Sequence, residues 1–331
     1  MINISSQRLQ KIFRSFQDKR ILVLGDIMLD EYLIGKVSRI SPEAPVPVIE
    51  IEEQRITLGG AANVALNIAN LGCKPVLIGI IGRDAMGIVL KRLMTRKRLN
   101  VSGIIQLKGR PTTVKTRIIG YTQHIARVDR EVSDDLDELS ARRVLQQINK
   151  WIPRCAALVL QDYNKGVLTP RIIEYSINLA RKHKLPITVD PKFHNFLLYK
   201  NVTVFKPNIK ETEEALAIKI QSETDLIRAC KKLMQKLTPD CLLLTRGASG
   251  MALLDTKSPL VHVPTRVRNV ADVSGAGDTV ISTLTAALLG GATYQEAATL
   301  ANYAAGIVCE EVGIVPIDKQ KLIKACLGQN L

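Results

Sequence analysis

The sequence predicts an α/β protein whose main sheet is parallel and is covered by helices on both faces. Short continuous runs of Val, Ile and Leu alternate along the chain with helical segments. Such runs are typical of parallel strands, which are buried on both faces. Segments near 31–58 and 102–130 instead alternate apolar with other residues. This second pattern predicts a small β layer, or lid, inserted into the α/β body.

Each element is predicted from its own run of residues. The buried strands are expected at 21–24, 76–82, 156–162, 186–190, 203–208, 241–247 and 250–255. The helices are expected at 59–72, 84–94, 137–150, 169–183, 210–217, 223–237, 277–290 and 294–311. An amphipathic helix is also expected near the start of the chain, with one apolar face formed by Leu9, Ile12, Phe13 and Phe16.

Length and composition restrict the class of protein. The chain has 331 residues, 46% hydrophobic and 23% charged, which excludes a disordered chain. No Pro-, Gly- or Ser-rich linker divides it, so we expect a single domain over 1–331 that carries the lid. The 46 Lys and Arg outnumber the 31 Asp and Glu, giving a formal charge of +15. That excess is compatible with a nucleic-acid or membrane partner, with an anionic substrate, or with a basic surface alone.

The sequence carries no sign of export or of a membrane span. No apolar run reaches the roughly 18 residues that cross a bilayer, and the polar N-terminus lacks the apolar core of a signal peptide. The six cysteines show no CxxC spacing and lie mostly in apolar surroundings. We therefore expect buried, reduced thiols in a cytoplasmic protein.

The strongest chemical signal is VADVSGAGDTV at 270–280, directly before an apolar helix. Gly275, Ala276 and Gly277 are small enough for backbone N–H groups to approach an anion, and a helix start is electropositive. Asp278 follows in the first turn, where a carboxylate could act as general base for a hydroxyl that attacks a phosphoryl group. The alternative is that Asp278 only caps the helix.

Polar residues at the ends of other strands also have two interpretations. Asn208 and Glu211, three positions apart where a strand gives way to a helix, could hold a metal-bound phosphate or could form a capping box. Asp26 and Asp30 follow the first strand, where carboxylates could bind sugar hydroxyls or be solvated.

A glycine-rich helix start lies further along the chain. Gly59 and Gly60, followed by Ala61 and Ala62, could let a ligand touch the backbone, with Asn63 adding a polar contact. The alternative is that these small residues serve close packing of the helix on the sheet.

These motifs, in this order, resemble the ribokinase/phosphofructokinase-B family of carbohydrate kinases. The resemblance covers about residues 20–316 and is strongest at GGAANVALNIANLG and DVSGAGDTV. Within the family the chain is most similar to the D-glycero-β-D-manno-heptose 7-phosphate kinases. The motifs that carry this are GDIMLDEY, RISPEAPVPV, TRIIGYTQHIARVD, QDYNKGVL, VDPK and SGAGDTVIS.

The resemblance implies a ribokinase-like three-layer α/β/α sandwich with a lid. It implies ATP-dependent phosphorylation of the anomeric hydroxyl of the heptose 7-phosphate, on the route to ADP-heptose and the lipopolysaccharide core. Asp278 would be the base, and the N–H groups of residues 275–278 would stabilise the transferring phosphoryl group. Mg²⁺ would bridge the ATP phosphates and be supported through water by Asn208 and Glu211.

The same resemblance assigns the remaining site residues. The sugar would be held by Asp30, Gly59, Gly60 and Asn63, with further contacts from Arg117, Gln123, Arg127, Lys165 and Lys192. Lys192 would meet either the sugar phosphate or an ATP phosphate. The nucleotide would lie against residues 244–250, chiefly Thr245, Gly247 and Gly250, and against Asn302. Asp272 and Ser274 occupy positions that bind K⁺ in some family members. Each lone Lys, Arg or Asn in this set could instead be a solvated surface residue.

Two positions depart from the family pattern, and two expectations concern the whole chain. Ser274 stands where Thr is more frequent and Gln161 where Ser is expected. The nucleotidyltransferase motif HxGH, carried by a domain fused to this kinase in many bacteria, does not occur, so a stand-alone kinase is expected. The lid strands predict a homodimer through exposed edges.

Two alternative functions remain open. A kinase for ribose, fructose 6-phosphate or a nucleoside would share the same motifs. A basic nucleic-acid-binding or scaffold protein on a kinase fold fits less well. Aromatic residues make up only 4% of the chain and are not interleaved with the basic ones, so neither nucleic acid nor membrane is expected as a partner.

Overall fold

The computed structural model describes residues 4–121, 123–265 and 271–328. Thr122 and Val270, which fall within two of the motifs above, lie outside this range. The helices of the described residues are α1 (Ser6–Phe16), α2 (Ala61–Leu71), α3 (Ala85–Arg96), α4 (Glu138–Trp151), α5 (Pro170–Lys182), α6 (Ile209–Leu216), α7 (Glu223–Leu237), α8 (Ala276–Leu289), α9 (Tyr294–Cys309) and α10 (Lys319–Cys326). The strands are β1 (Arg20–Gly25), β2 (Ile27–Ile40), β3 (Pro47–Gly60), β4 (Lys74–Gly82), β5 (Ile104–Leu107), β6 (Thr113–Gly120), β7 (Gln123–Arg130), β8 (Ala157–Gln161), β9 (Ile187–Asp190), β10 (Val204–Phe205), β11 (Cys241–Thr245), β12 (Met251–Asp255) and β13 (Val261–Val263).

The body is built on one large sheet with helices on both faces. Its strand order is β13-β12-β11-β10-β9-β8-β1-β4-β5, and the strands from β11 to β5 run parallel. Successive residues of β1 enter opposite cores: Ile21 and Val23 pack with α1, α2, α8 and α9, whereas Leu22 and Leu24 pack with α4, α5 and α7. Because side chains alternate across a strand, this arrangement makes three layers and confirms the predicted α/β/α sandwich.

The lid is a separate four-stranded sheet of order β3-β2-β6-β7. β2 pairs antiparallel with β3 and parallel with β6, and β6 pairs antiparallel with β7. The predicted lid segment 102–130 begins too early, because Ile104–Leu107 pairs with β4 and extends the large sheet. A four-residue apolar strand has too few residues for its pattern to distinguish the edge of a parallel sheet from a lid strand.

Helices α1 and α10 pack in the same core as α2, α8 and α9. In α1 the predicted apolar face is confirmed, since Leu9, Ile12, Phe13 and Phe16 are all buried.

All six cysteines are unpaired, and only Cys326 is partly accessible. Among the described residues no helix combines the length and the apolar character needed to cross a bilayer.

Candidate active site

The site lies at the edge of the large sheet where the parallel strands end. Gly25, the last residue of β1, stands beside Gln161 at the end of β8, and Gln161 stands beside Asp190 at the end of β9. Lys206 follows β10 directly. All of these polar side chains are buried. Ligands of open α/β sheets bind at this carboxyl edge, so the topology itself collects chemical groups here.

Asp278 lies in the first turn of α8, directly above that edge, and is 1% exposed. Its Oδ1 accepts hydrogen bonds from the Tyr163 hydroxyl at 2.8 Å and from Gln161 Nε2 at 3.1 Å. Its Oδ2 accepts one, from Asn63 Nδ2 at 2.8 Å. Burial raises the pKa of Asp278 to about 7; the Asn63 hydrogen bond opposes this and the Asp190 charge adds to it. A carboxyl group that titrates near neutrality suits a general base.

The glycines before Asp278 shape the helix start. Gly275 has φ +77°, and a Cβ there would lie 3.0 Å from Asn63 Nδ2, so the turn requires glycine. The N–H of Ala276 donates to the Val273 carbonyl at 3.2 Å, which removes it from the expected set of anion donors. A Cβ on Gly277 would lie 3.7 Å from Lys206 Nζ. The same Cβ would lie 3.5 Å from Asp190 Oδ2, so the helix start faces the buried Asp190–Lys206 ion pair.

The structure joins the sugar-site residues predicted from separate segments. Asp30 on β2 is 3% exposed and forms an ion pair with Arg117 of β6, with Nη1 and Oδ1 2.5 Å apart. The Arg117 guanidinium also lies 5.3 Å from the centre of the Tyr32 ring. A Cβ on Gly59 would fall 2.0 Å from Asp30 Oδ2, which explains glycine at this position. Gly60, the last residue of β3, is the N-cap of α2 and has φ +54°.

The Asp26 carboxylate is not directed at a sugar hydroxyl, as one of its two interpretations suggested. It accepts hydrogen bonds from backbone N–H groups instead. Oδ2 accepts from the N–H groups of Tyr163 at 2.8 Å and Lys165 at 3.0 Å, and Oδ1 accepts from that of Val167 at 3.2 Å. Asp26 thus fixes the loop after β8. That loop presents the Tyr163 hydroxyl to Asp278.

Asn208 and Glu211 form the capping box that the sequence left open. The Asn208 side chain accepts from the Glu211 N–H at 2.8 Å, and Glu211 Oε2 accepts from the Asn208 N–H at 2.9 Å. Glu211 also pairs with Lys192, whose ammonium lies 5.7 Å from the centre of the Tyr163 ring. Burial alone would lower the pKa of Lys192, but Asp190 and Glu211 more than offset this and raise it.

The other predicted sugar-site residues lie in the lid or beside it. Lys165 binds Glu131 at 2.7 Å. Gln123 and Arg127 are exposed on β7, and Arg127 pairs with Asp129 at 3.0 Å. The structure does not bring these three side chains into the cluster around Asp278.

The residues predicted for the nucleotide and for K⁺ make local contacts. Asn302 on α9 donates to the Pro264 carbonyl at 2.7 Å. The Thr245 N–H donates to the Pro207 carbonyl at 3.0 Å, which ties β11 to the segment before α6. Asp272 accepts from the N–H groups of Ser274 at 2.8 Å and Gly313 at 3.1 Å, and so shapes the loop before α8.

The two glycines of this region differ in their surroundings. Gly250 has φ +78°, and a Cβ there would lie 2.2 Å from the Val263 carbonyl oxygen. Gly247 has φ +55°, but open space lies around it. The neighbouring backbone therefore requires glycine at 250, whereas 247 keeps room for a ligand.

The sequence indicated no role for three residues of the cluster, Tyr163, Asp190 and Lys206, and marked Gln161 only as a departure from the family pattern. Asp190 Oδ1 pairs with Lys206 Nζ at 2.9 Å, and Asp190 Oδ2 accepts from Gln161 Nε2 at 3.0 Å. The sequence signal that could have found them is their position, since each lies within two residues of the predicted end of a buried strand. The rule that ligands bind at the carboxyl edge could have selected them.

A family model matches most of the chain. Residues 18–320 match the pfkB family carbohydrate kinase profile. The chain belongs to this family. It is therefore a carbohydrate kinase, a phosphotransferase that acts on a sugar hydroxyl, as the sequence predicted.

The curated relatives are longer than this chain. The Bifunctional protein HldE of Geobacter sulfurreducens is 40% identical over 302 residues, which are 91% of this chain and 62% of the relative. The Bifunctional protein HldE of Pasteurella multocida is 40% identical over 315 residues, 95% of this chain and 65% of the relative. The chain thus spans a little under two thirds of the relatives it matches.

Solved structures share the fold at much lower identity. Arabidopsis thaliana ribokinase, complexed with ribose and ATP, superposes with a TM-score of 0.73 at 17% identity, covering 93% of this chain and 99% of that one. Escherichia coli phosphofructokinase-2, in complex with substrates and products, gives a TM-score of 0.77 at 18% identity, covering 93% and 99%. These similarities confirm the ribokinase-like fold.

Proposed function

We propose that the chain transfers the γ-phosphoryl group of ATP to the anomeric hydroxyl of D-glycero-β-D-manno-heptose 7-phosphate. The observation that carries the chemistry is Asp278, a buried carboxyl with a pKa near 7 at the start of a helix. The sugar is supported by the distinctive motifs, RISPEAPVPV and VDPK above all, and by the 40% identity to the HldE proteins. The reaction belongs in the cytoplasm, where ATP is available and free thiols stay reduced.

In the proposed step Asp278 Oδ2 takes the proton of the attacking hydroxyl. The hydroxyl oxygen forms a bond to the γ-phosphorus, and the bond from that phosphorus to the β–γ bridging oxygen breaks. ADP leaves with the electron pair. The N–H groups of Gly277 and Asp278, the α8 dipole and the Lys206 ammonium stabilise the charge on the transferred group.

Binding of the two substrates divides between the lid and the body. Asp30 and Arg117 would hold the sugar, and the bare backbone at Gly59 lets the sugar approach. Lys192 would bind a phosphate, either that of the sugar or one of ATP, because its ammonium lies 5.7 Å from the centre of the Tyr163 ring beside the base. Lid closure would exclude water and so protect ATP from hydrolysis.

Mg²⁺ fits this site as an ion carried mainly by the nucleotide. Within the described ranges no group of three or more His, Cys, Asp or Glu side chains could hold a metal ion. Glu211 and Asn208 already satisfy each other, so their support for Mg²⁺ would pass through water. The ion would neutralise charge on the ATP phosphates. Asp272 would support K⁺ beneath the helix start.

We also propose a homodimer that forms through the lids. Lid residues Ile40, Val46, Ile51 and Val128 are between 46% and 62% exposed, which is unusual for large apolar side chains on a sheet. Sedimentation should give a dimer for the native chain and a monomer for Ile51→Glu. Leu139→Glu, at an apolar position on α4 that is more exposed than Ile51, should remain a dimer.

A substrate panel tests the sugar directly. Purified protein with ATP and Mg²⁺ should form ADP with the heptose 7-phosphate, and ¹H and ³¹P spectra should show a new phosphate ester at the anomeric carbon. Ribose, fructose 6-phosphate and nucleosides serve as competitors. Faster turnover of any of these would replace the proposed substrate while leaving the kinase assignment in place.

A further inference from the structure

Gln161 is a buried amide at the centre of the cluster. It is the last residue of β8, lies between Gly25 of β1 and Asp190 of β9 in the sheet, and is 0% exposed. Its side chain reaches from the sheet edge to Asp278 on α8. A buried polar group without a ligand role is costly, so this one requires an explanation.

The amide nitrogen separates two carboxylates. Nε2 donates to Asp190 Oδ2 at 3.0 Å and to Asp278 Oδ1 at 3.1 Å. The reverse orientation would place the amide oxygen against carboxylate oxygens, none of which donates when ionised, so the chemistry fixes the orientation. In the described residues Gln161 Oε1 is then buried without a hydrogen-bond partner. The cost of this unsatisfied oxygen accompanies an orientation in which both amide hydrogens donate to carboxylates.

The hydrogen bonds to Asp278 are unequal between its two oxygens. Oδ1 receives two donors, Gln161 Nε2 and the Tyr163 hydroxyl, whereas Oδ2 receives one, Asn63 Nδ2. A carboxylate oxygen that already accepts two strong hydrogen bonds has no lone pair left to take a proton from the substrate. The free lone pair for an incoming hydroxyl is therefore on Oδ2.

We propose that Gln161 is a positioning residue for the base: it holds Asp278 with Oδ2 toward the substrate and places a neutral amide between the carboxylates of Asp278 and Asp190. The effect of Gln161 on turnover rests on the proposed function, whereas its effect on the titration of Asp278 does not. Gln161 also connects the base to the Asp190–Lys206 ion pair, so the anionic charge on Asp190 is shared between an ammonium and an amide.

Loss of the amide should change the proton affinity of the base. A hydrogen bond to an ionised carboxylate stabilises it, and a variant without the amide loses that bond. The variant also leaves the Asp190 charge facing Asp278 without a neutral amide between them, so both changes raise the pKa of Asp278. The titratable and charged groups that surround Asp278 are Asp30 on β2, Tyr163 after β8, Asp190 on β9, Lys192 after β9 and Lys206 after β10. Within the described residues, Gln161 is the neutral side chain that donates to both Asp278 and Asp190.

The test uses two variants and a matched control. Gln161→Met keeps the length of the side chain and removes the donors, and Gln161→Ser removes both contacts without adding an apolar group. Gln147→Met is the control, because Gln147 on α4 also has a buried Oε1 without a partner yet lies outside the cluster. Thermal unfolding of each variant establishes that it is folded.

The first readout needs no substrate. Titration of the Asp278 carboxyl by ¹³C NMR should show its midpoint higher by about one pH unit in the Gln161 variants and unchanged in Gln147→Met. The second readout is the pH profile of kcat/KM, whose acid limb should move by the same amount, with kcat down about 10- to 100-fold and KM for ATP unchanged.

The outcomes separate this inference from the proposed function. An unchanged NMR midpoint in a folded Gln161 variant would overturn the positioning role, whatever the enzyme phosphorylates. If the heptose phosphate is not a substrate but another sugar is, the kinetic arm is run with that sugar. A shifted midpoint with no turnover of any sugar would refute the proposed function and leave the role of Gln161 established.

Discussion

Asn63 Nδ2 donates a 2.8 Å hydrogen bond to Asp278 Oδ2, although the two residues are 215 positions apart in the chain. The bond connects the starts of α2 and α8, which pack against each other in the same core. It also joins the two signature motifs of the sequence, GGAAN and GAGD. Asn63 is therefore placed to orient the base that we propose, and the sugar contact expected for it stays a prediction.

The rate should depend on the ionisation of Asp278. Because only the ionised carboxylate can accept a proton, kcat/KM should rise with pH and level off above a midpoint near 7, where the pKa of Asp278 lies. The measurement is kcat/KM between pH 5 and 9 at constant ionic strength, with excess coupling enzyme at each pH. A flat profile from pH 5 upward would mean that no group with this pKa limits the reaction.

The same raised pKa should reduce stability as pH increases. Below about pH 4 Asp278 is protonated in both the folded and the unfolded chain, so it does not change the free energy of unfolding with pH. From there to about pH 7 the folded state holds a proton that the unfolded state releases, so the native chain loses on the order of a few kcal/mol. The free energy of unfolding of Asp278→Asn relative to the native chain should therefore increase over this interval. A constant difference between pH 4 and 8 would contradict the buried, ionisable base.

Gly275→Ala should impair both folding and turnover. The residue has φ +77°, and a Cβ would lie 3.0 Å from Asn63 Nδ2, the donor to the base. We expect a loss of about 1–2 kcal/mol together with a lower kcat. Gly291→Ala is the control: its φ is +79°, but nothing lies within 4 Å of the added Cβ. It should lose similar stability and keep its kcat; equal kcat in the two variants would show that the Asn63 contact does not matter.

Asp26→Ala should release the loop after β8. Three N–H donors, those of Tyr163, Lys165 and Val167, would lose their acceptor, at about 1–3 kcal/mol for each one that remains buried. Tyr163 would then no longer be held against Asp278, so turnover should fall with stability. Asp137→Ala, which removes a single exposed helix cap on α4, should cost about 1 kcal/mol and leave kcat unchanged. Denaturant unfolding and steady-state kinetics on both variants measure this.

Much of this fold was accessible from local sequence pattern. The apolar runs located most strands of the sheet, and the Ala-rich segments located α8 and α9 within two residues of their ends. Ile104–Leu107 was assigned to the lid because a short edge strand and a lid strand have the same pattern. No element was predicted at β13 or at α10. Global position in a sheet is not a local property of four residues.

The site was predictable where a motif brings several special residues together. Asp278 and Gly275 stand in one such motif, and the pairing of Asp30 with Arg117 joined two segments that had each been proposed for the sugar. Gln161 and Lys206 were not assigned because a single Gln or Lys at the end of a strand has no distinctive pattern. Their roles come from neighbours that only the sheet order supplies.

The most direct test of the account is the turnover of Asp278→Asn with ATP and the heptose 7-phosphate. The amide preserves the shape of the side chain but cannot accept a proton as a base, so kcat should fall by about 10²–10⁴-fold while KM for ATP stays nearly the same. Turnover close to that of the native enzyme would show that another group, or none, takes the proton from the sugar.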